Sequence, residues 1–269
     1  MPATTSILQR YQSTAVDAAV EYQVLHPADW TPHPGAALVL HLHGAGSSAS
    51  SLELARPFYE QAWQEGILPP AVVACPSTPT LDGFYLDWPQ ARWEQLVAEE
   101  FPAEIAEQYG APSAIAVIGS SMGGYGALKI SFADPTRFAA VAAISPAVFP
   151  GEAPGAVPED ALPSVLADLH RSMSLGTDDP GLYAANSVQG RARSNHAELR
   201  RSDLRILLDC GAEDEFGLHR GATHLHEVLI ELGVSHTFRL VPGAGHLGPE
   251  AGIRTAAAIG FLGDALLSR

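Results

Sequence analysis

Five short aliphatic runs, 36–42 (AALVLHL), 71–75 (AVVAC), 114–118 (AIAVI), 139–144 (AAVAAI) and 204–209 (LRILLD), constrain this chain more than any other feature. Each is too short for a buried helix and lacks polar alternation, so each reads as a strand buried on both faces. Between and after them stand segments of helical period, at 51–65, 91–109, 122–133, 219–232 and 249–267. Alternation of the two implies a mostly parallel sheet, because parallel neighbours need a crossover and the crossover helices cover both faces. Alternating patterns at 20–25 (VEYQVL) and 236–241 (HTFRLV) add two strands, expected to be half exposed. Asp134-Pro135 ends one helix, Gly233 follows another at C′, and Pro249 with Glu250 suits the first turn of the last.

The stretch from Pro146 to Ser202 breaks this rhythm, with Pro and Gly crowded at 146–163 and a short helical patch at 164–173. We read residues 1–269 as one α/β domain with an excursion at about 146–203, placed where a lid or specificity loop would sit. With 46% hydrophobic and 17% charged residues the chain can build a large core. Its net charge, 15 − 30 = −15, repels phosphate backbones and anionic surfaces, which argues against nucleic acid as a partner. Cys75 and Cys210 end predicted buried strands and read as reduced core thiols rather than a disulfide framework. The opening stretch lacks the basic patch and unbroken apolar run of a signal peptide. No segment reaches the roughly 18 apolar residues of a membrane helix, so the expectation is a cytoplasmic protein without membrane insertion.

Gly119-Ser120-Ser121-Met122-Gly123 stands directly after the run AIAVI and directly before a helical segment. This is the strand, tight turn, helix setting of a G-x-S-x-G nucleophile elbow, which would lift the Ser121 hydroxyl clear of the sheet in a strained backbone conformation. Gly119 and Gly123 are needed there because a Cβ at either would strike the neighbouring strand or helix. An oxyanion needs two donors, and the usual pair is the N–H after the nucleophile plus one from an early strand-to-helix loop. Met122 N–H is the first candidate. Ala45 in His41-Leu42-His43-Gly44-Ala45-Gly46 is the second, with Gly44 and Gly46 as alternatives, and His43 reads as a brace for that loop.

The base of such a site follows the acid in the chain and lies late. His246, in the Gly-rich loop GAGHLG after the strand TFRLV, fits; His236, at the start of that strand, lies at the opposite end from the elbow. The acid is expected after LRILLD, where Asp209, Glu213, Asp214 and Glu215 are all available and Asp214 is the preferred partner for His246. These roles imply a serine hydrolase that cleaves carboxylic esters, thioesters included, through an acyl-enzyme on Ser121. Acyl transfer by the same triad and a non-catalytic binding protein on the same fold are the alternatives.

Other histidines do not read as a metal site. His224 and His226 would project about 200° apart on a helix, and Ile230 stands where H-E-x-x-H needs its second histidine. No phosphate-cradling loop of the G-x-x-x-x-G-K-[ST] type occurs, and Lys129 lies two turns past Ser121, too far down the helix to assist. No cofactor and no metal are expected, and the partner is a small-molecule ester substrate. The oligomeric state stays open, a homo-oligomer included.

The pieces LHLHGAGSS, FYLDWPQARWEQLVAEEFPAEI, IGSSMGGYGALKISFADPTRFAAVAAISPA, LLDCGAEDEF and TFRLVPGAGH resemble one esterase family of the α/β hydrolases. That family includes S-formylglutathione hydrolases (esterase D), feruloyl and acetyl xylan esterases, and mycolyltransferases. The resemblance spans most of 36–246 and is most specific at SSMGGYGALK. It implies an α/β-hydrolase fold, a Ser121, Asp214, His246 triad, an oxyanion hole near Ala45 and Met122, no cofactor, and carboxylic ester substrates. One departure is that His246 leads into LGPE, where many members carry an aromatic residue. Phe84, Tyr85, Trp88 and Trp93 are open to two roles, lining a pocket or packing the core, and Asp87 reads as a structural turn residue.

Overall fold

All five aliphatic runs are strands in the computed structural model, which describes residues 4–31, 33–162, 164–177 and 179–268. They are β3 (Ala37–Leu42), β4 (Ala71–Pro76), β5 (Ile115–Ser120), β6 (Ala140–Ile144) and β7 (Arg205–Gly211). With β1 (Thr4–Ser13), β2 (Ala18–Pro27) and β8 (Thr237–Val241) they form an eight-stranded sheet in the order β1-β2-β4-β3-β5-β6-β7-β8. β4 to β8 run parallel to β3, whereas β1 and β2 are antiparallel additions at one edge. The chain leaves β3 for β4 on one side and later returns to β5 on the other. In an open sheet, a crevice forms at the carboxyl ends of strands where the winding reverses in this way.

Helices close both faces. α1 (Ser51–Gln64) and α5 (Pro249–Leu267) set Leu52, Tyr59, Ile259 and Leu262 against Val39, Val73 and Ile118 on one side. α2 (Phe101–Tyr109), α3 (Met122–Ala133) and α4 (Leu218–Glu231) set Phe101, Leu128 and Leu225 against Leu40, Val117 and Leu208 on the other. This is the doubly covered, mostly parallel sheet of an α/β hydrolase. Gly233, with φ +68°, follows α4 in the left-handed conformation that the C′ position requires.

Four details depart from the sequence-based expectations. β1, which the apolar pattern does not announce, is a partly buried edge strand whose antiparallel pairing with β2 supplies what periodicity lacks. β2 is not half exposed: after Ala18 and Ala19 it is largely buried, and wholly so from Tyr22 onward, because β1 and β4 flank it and core side chains reach it from both faces. The helical segment before α2 contains a π turn at Leu96–Glu100, two residues ahead of Pro102, whose missing N–H cannot continue the regular ladder. Between β6 and β7 the excursion carries helices at Pro180–Asn186, Val188–Ser194 and His196–Leu199 beyond the one anticipated at Ser164–Ser172. Tyr183, Val188 and Ala192 place these in the same core as α3, and Tyr125 Oη donates to the Asn186 carbonyl at 2.7 Å.

Candidate active site

The turn from β5 into α3 holds Ser121 at φ 56°, ψ −119°, a region that non-glycine residues rarely enter. The neighbours enforce it. Ser121 N–H donates to the Ile144 carbonyl, and the Ser121 carbonyl accepts from Ala147 N–H, each at 2.9 Å. A Cβ on Gly119 would lie 2.2 Å from the Gly123 carbonyl oxygen, and one on Gly123 would lie 1.9 Å from that of Leu42. Both glycines are therefore steric requirements of the elbow. Ser121 stays partly exposed, and its hydroxyl is not used to cap α3.

The loop after β3 meets the elbow from the neighbouring strand. His43 is buried there: Nε2 accepts the Thr78 N–H at 2.9 Å, which assigns the ring proton to Nδ1, and Nδ1–H donates to the Gly44 carbonyl at 2.9 Å. Tyr85 Oη donates to the His43 carbonyl at 2.9 Å. His43 is a brace, as its sequence setting suggests. Gly46 N–H is already bound to Thr80 Oγ1 at 2.7 Å, which removes it from the three candidate donors in this loop. Among the described residues Ala45, Gly44 and Met122 keep their backbone N–H groups free of protein acceptors. Met122 opens α3, where the helix dipole favours negative charge.

Asp214 and His246 are joined. Nδ1–H of His246 donates to Asp214 Oδ2 at 2.8 Å, and Phe216 packs edge-on against the imidazole with centroids 4.8 Å apart. The tertiary structure separates the four carboxylates that follow β7. Asp209 is buried on Arg254, whose Nε lies 2.5 Å from Oδ1. Glu213 is exposed, and Glu215 accepts the backbone N–H of His246 at 2.6 Å. Among the described residues the hydrogen bonds of His246 run to Asp214 and Glu215, and none links Nε2 to Ser121. Nε2 is thus without a protein partner, while Ser121, Asp214 and His246 all stand on loops at the carboxyl edge of β5, β7 and β8. Such hydrogen bonds are often long or absent before substrate arrives. His236 lies before β8, at the far end, bonded to His226 at 2.7 Å.

Comparison with known proteins decides the family. The family model described as "Putative esterase" matches residues 13–233. The chain belongs to this esterase family. Among solved structures, a ferulic acid esterase superposes with a TM-score of 0.78 at 20% identity, covering 97% of this chain and 98% of that one. The S-formylglutathione hydrolase of Agrobacterium tumefaciens gives 0.77 at 20% identity, covering 100% and 96%. A substrate-bound fluorophosphonate-binding serine hydrolase of Staphylococcus aureus gives 0.69 at 17% identity, covering 95% and 97%. At these identities the likeness is one of fold.

Within this esterase-family chain the aromatics resolve toward packing. Phe84 and Tyr85 are buried at consecutive positive φ values of 47° and 55°, and Trp88 and Trp93 rest against the same core. The buried Lys129 secures that segment, donating to the Tyr85 carbonyl at 3.1 Å and to Glu94 at 2.6 Å. Arg191 also reaches Glu94, at 3.1 Å. Burial pushes the Lys129 ammonium below its ordinary range, against the pull of Glu94. Sequence reasoning missed Arg254 and Ser145. The signal for Arg254 was present in α5, where it shares the helix face of Ala258 and Leu262, both buried. Among the described residues no helix is long and apolar enough to cross a membrane, and no three His, Cys, Asp or Glu side chains cluster as metal ligands.

Proposed function

We propose that this protein is a serine hydrolase of carboxylic esters that works through an acyl-enzyme on Ser121. The observation that carries the reading is the Asp214–His246 hydrogen bond at the edge of the sheet where Ser121 stands in a strained elbow. In the first half-reaction the Ser121 proton passes to His246 Nε2 as Oγ bonds the acyl carbon, and the oxyanion faces Met122 and Ala45 N–H. Collapse breaks the bond to the alcohol oxygen, which takes the proton from Nε2. Water then attacks the acyl-enzyme, gives a proton to Nε2, and Ser121 Oγ leaves with that proton. Asp214 keeps the imidazole in the Nδ1–H tautomer and steadies its charged form throughout. Supporting this reading are the family membership and the likeness of fold to a ferulic acid esterase, an S-formylglutathione hydrolase and a fluorophosphonate-binding hydrolase.

The test is a panel of p-nitrophenyl acyl esters of increasing chain length, with S-formylglutathione and a feruloyl ester, on wild type and Ser121→Ala. Labelling by a fluorophosphonate probe runs in parallel. Hydrolysis and labelling are both expected in wild type and neither in Ser121→Ala. A Ser121→Ala enzyme that still turns over overturns the assignment.

A further inference from the structure

The peptide unit joining Gly245 to His246 is gripped at both of its polar atoms by charged side chains. Its carbonyl accepts from Arg254 Nη1 at 3.0 Å, and its N–H donates to Glu215 Oε2 at 2.6 Å. A cation on the oxygen and an anion on the N–H match the peptide dipole, and hydrogen bonds with an ionised partner are roughly twice as strong as neutral ones.

Both grips are anchored in turn. Arg254 is 3% exposed, and besides Gly245 its guanidinium binds Asp209 Oδ1 through Nε and Ser145 Oγ through Nη2, at 2.5 and 2.8 Å. Glu215 follows Asp214 directly, so the residue that holds the imidazole and the residue that holds the backbone N–H come from one turn. Its carboxylate packs so close to Gly245 that a Cβ there would lie 2.5 Å from Oε1. The loop needs such fixing. Gly243 and Gly248 adopt φ +73° and +113°, and three glycines among Gly243, Gly245 and Gly248 leave the backbone around His246 intrinsically free.

We propose that Arg254 and Glu215 form a clamp on the Gly245–His246 peptide that aims the His246 imidazole at Ser121, as positioning residues of the ester-cleaving reaction. The inference rests on the Ser121–His246 chemistry proposed above. With the peptide plane held and Nδ1 held by Asp214, the direction of Nε2 is determined. A displacement of about 1 Å at a reacting group can cost about 100-fold in rate.

The experiment compares Glu215→Ala, Glu215→Gln, Arg254→Lys and Arg254→Met with wild type on p-nitrophenyl acetate, with Ser121→Ala as control. Active sites are titrated so that rates are counted per folded site. Glu215→Ala is expected to lose about tenfold or more in kcat with KM changed less than about twofold. Glu215→Gln, which keeps an acceptor oxygen, recovers most of kcat, and Arg254→Lys exceeds Arg254→Met. If the Arg254 variants do not fold, the Glu215 pair decides alone. Wild-type kcat in Glu215→Ala, or equal impairment in Glu215→Gln, overturns the clamp. Hydrolysis that persists in Ser121→Ala instead overturns the reading of the site itself, so the two failures are distinct.

Discussion

Asp214 meets His246 with one carboxylate oxygen while its other oxygen accepts the Phe216 N–H at 3.0 Å, so the turn that carries the acid also orients it. Burial alone would raise this carboxyl, but the imidazole and the Phe216 N–H hold it below the usual carboxylate range. A depressed folded-state value means that this carboxylate stabilises the fold above its unfolded value, about 3.9, and that the contribution is lost as pH falls through the lower folded one. Asp214→Asn is expected to lower kcat by about 10³ to 10⁴-fold, because the amide no longer enforces the Nδ1–H tautomer. Ester hydrolysis measures it, and a variant within tenfold of wild type contradicts the assignment.

The histidines of the β3 segment predict acid sensitivity on a different scale. Burial pushes His43 down, and pushes His41 down to about 4. Both are neutral in the fold, so the unfolded chain binds more protons below its own value near 6.5, and stability declines as pH falls from there toward 4. Thermal unfolding followed between those limits should show a falling midpoint, shallower in His41→Gln. A flat wild-type profile refutes this.

Gly123→Ala tests the elbow by sterics alone. The added methyl would stand 1.9 Å from Leu42 O and 2.9 Å from His43 O, both backbone atoms of the adjoining strand and loop. Overpacking of this kind typically costs about 1–3 kcal/mol, and the rigidity of both contacts places Gly123→Ala at or above the upper end. Gly155→Ala, with nothing within 4 Å, is the matched control and should stay within about 0.5 kcal/mol in urea unfolding.

Lys129→Met removes one partner of a buried pair and leaves Glu94 with Arg191 alone. A loss of about 3 kcal/mol is expected, as for other buried pairs broken on one side. Activity should fall with it, because the Tyr85 backbone that Lys129 holds carries the hydroxyl that supports the His43 carbonyl. Lys129→Met combined with Glu94→Leu should recover part of the stability. A single variant as stable as wild type by urea unfolding disproves the structural role.

Much of the fold is legible in the chain because its cues are local. The buried strands announce themselves as aliphatic runs, and α1, α3, α4 and α5 begin and end within a residue or two of their periodic segments. The elbow is equally legible, since strand, Gly-x-Ser-x-Gly and helix occupy consecutive positions. Where cues are weak or non-local the reading thins. β1 is an edge strand with little apolar alternation, and the helices at 180–199 bury their faces against α3 rather than advertising a long period.

Sequence alone therefore determined the alternation of the aliphatic strands with the periodic helices, the strained serine and the late histidine, because each depends on residues within a few positions of one another. Tertiary structure decided which of four neighbouring carboxylates receives the imidazole, that Gly46 N–H is taken by Thr80, and that Arg254 reaches the loop of His246. Those outcomes depend on how side chains from separate strands and helices meet at one sheet edge. Asp209 and Asp214 carry the same carboxylate five positions apart, and the guanidinium groups of Arg254 and Arg239 beside the first and the imidazole of His246 beside the second give them different chemistry.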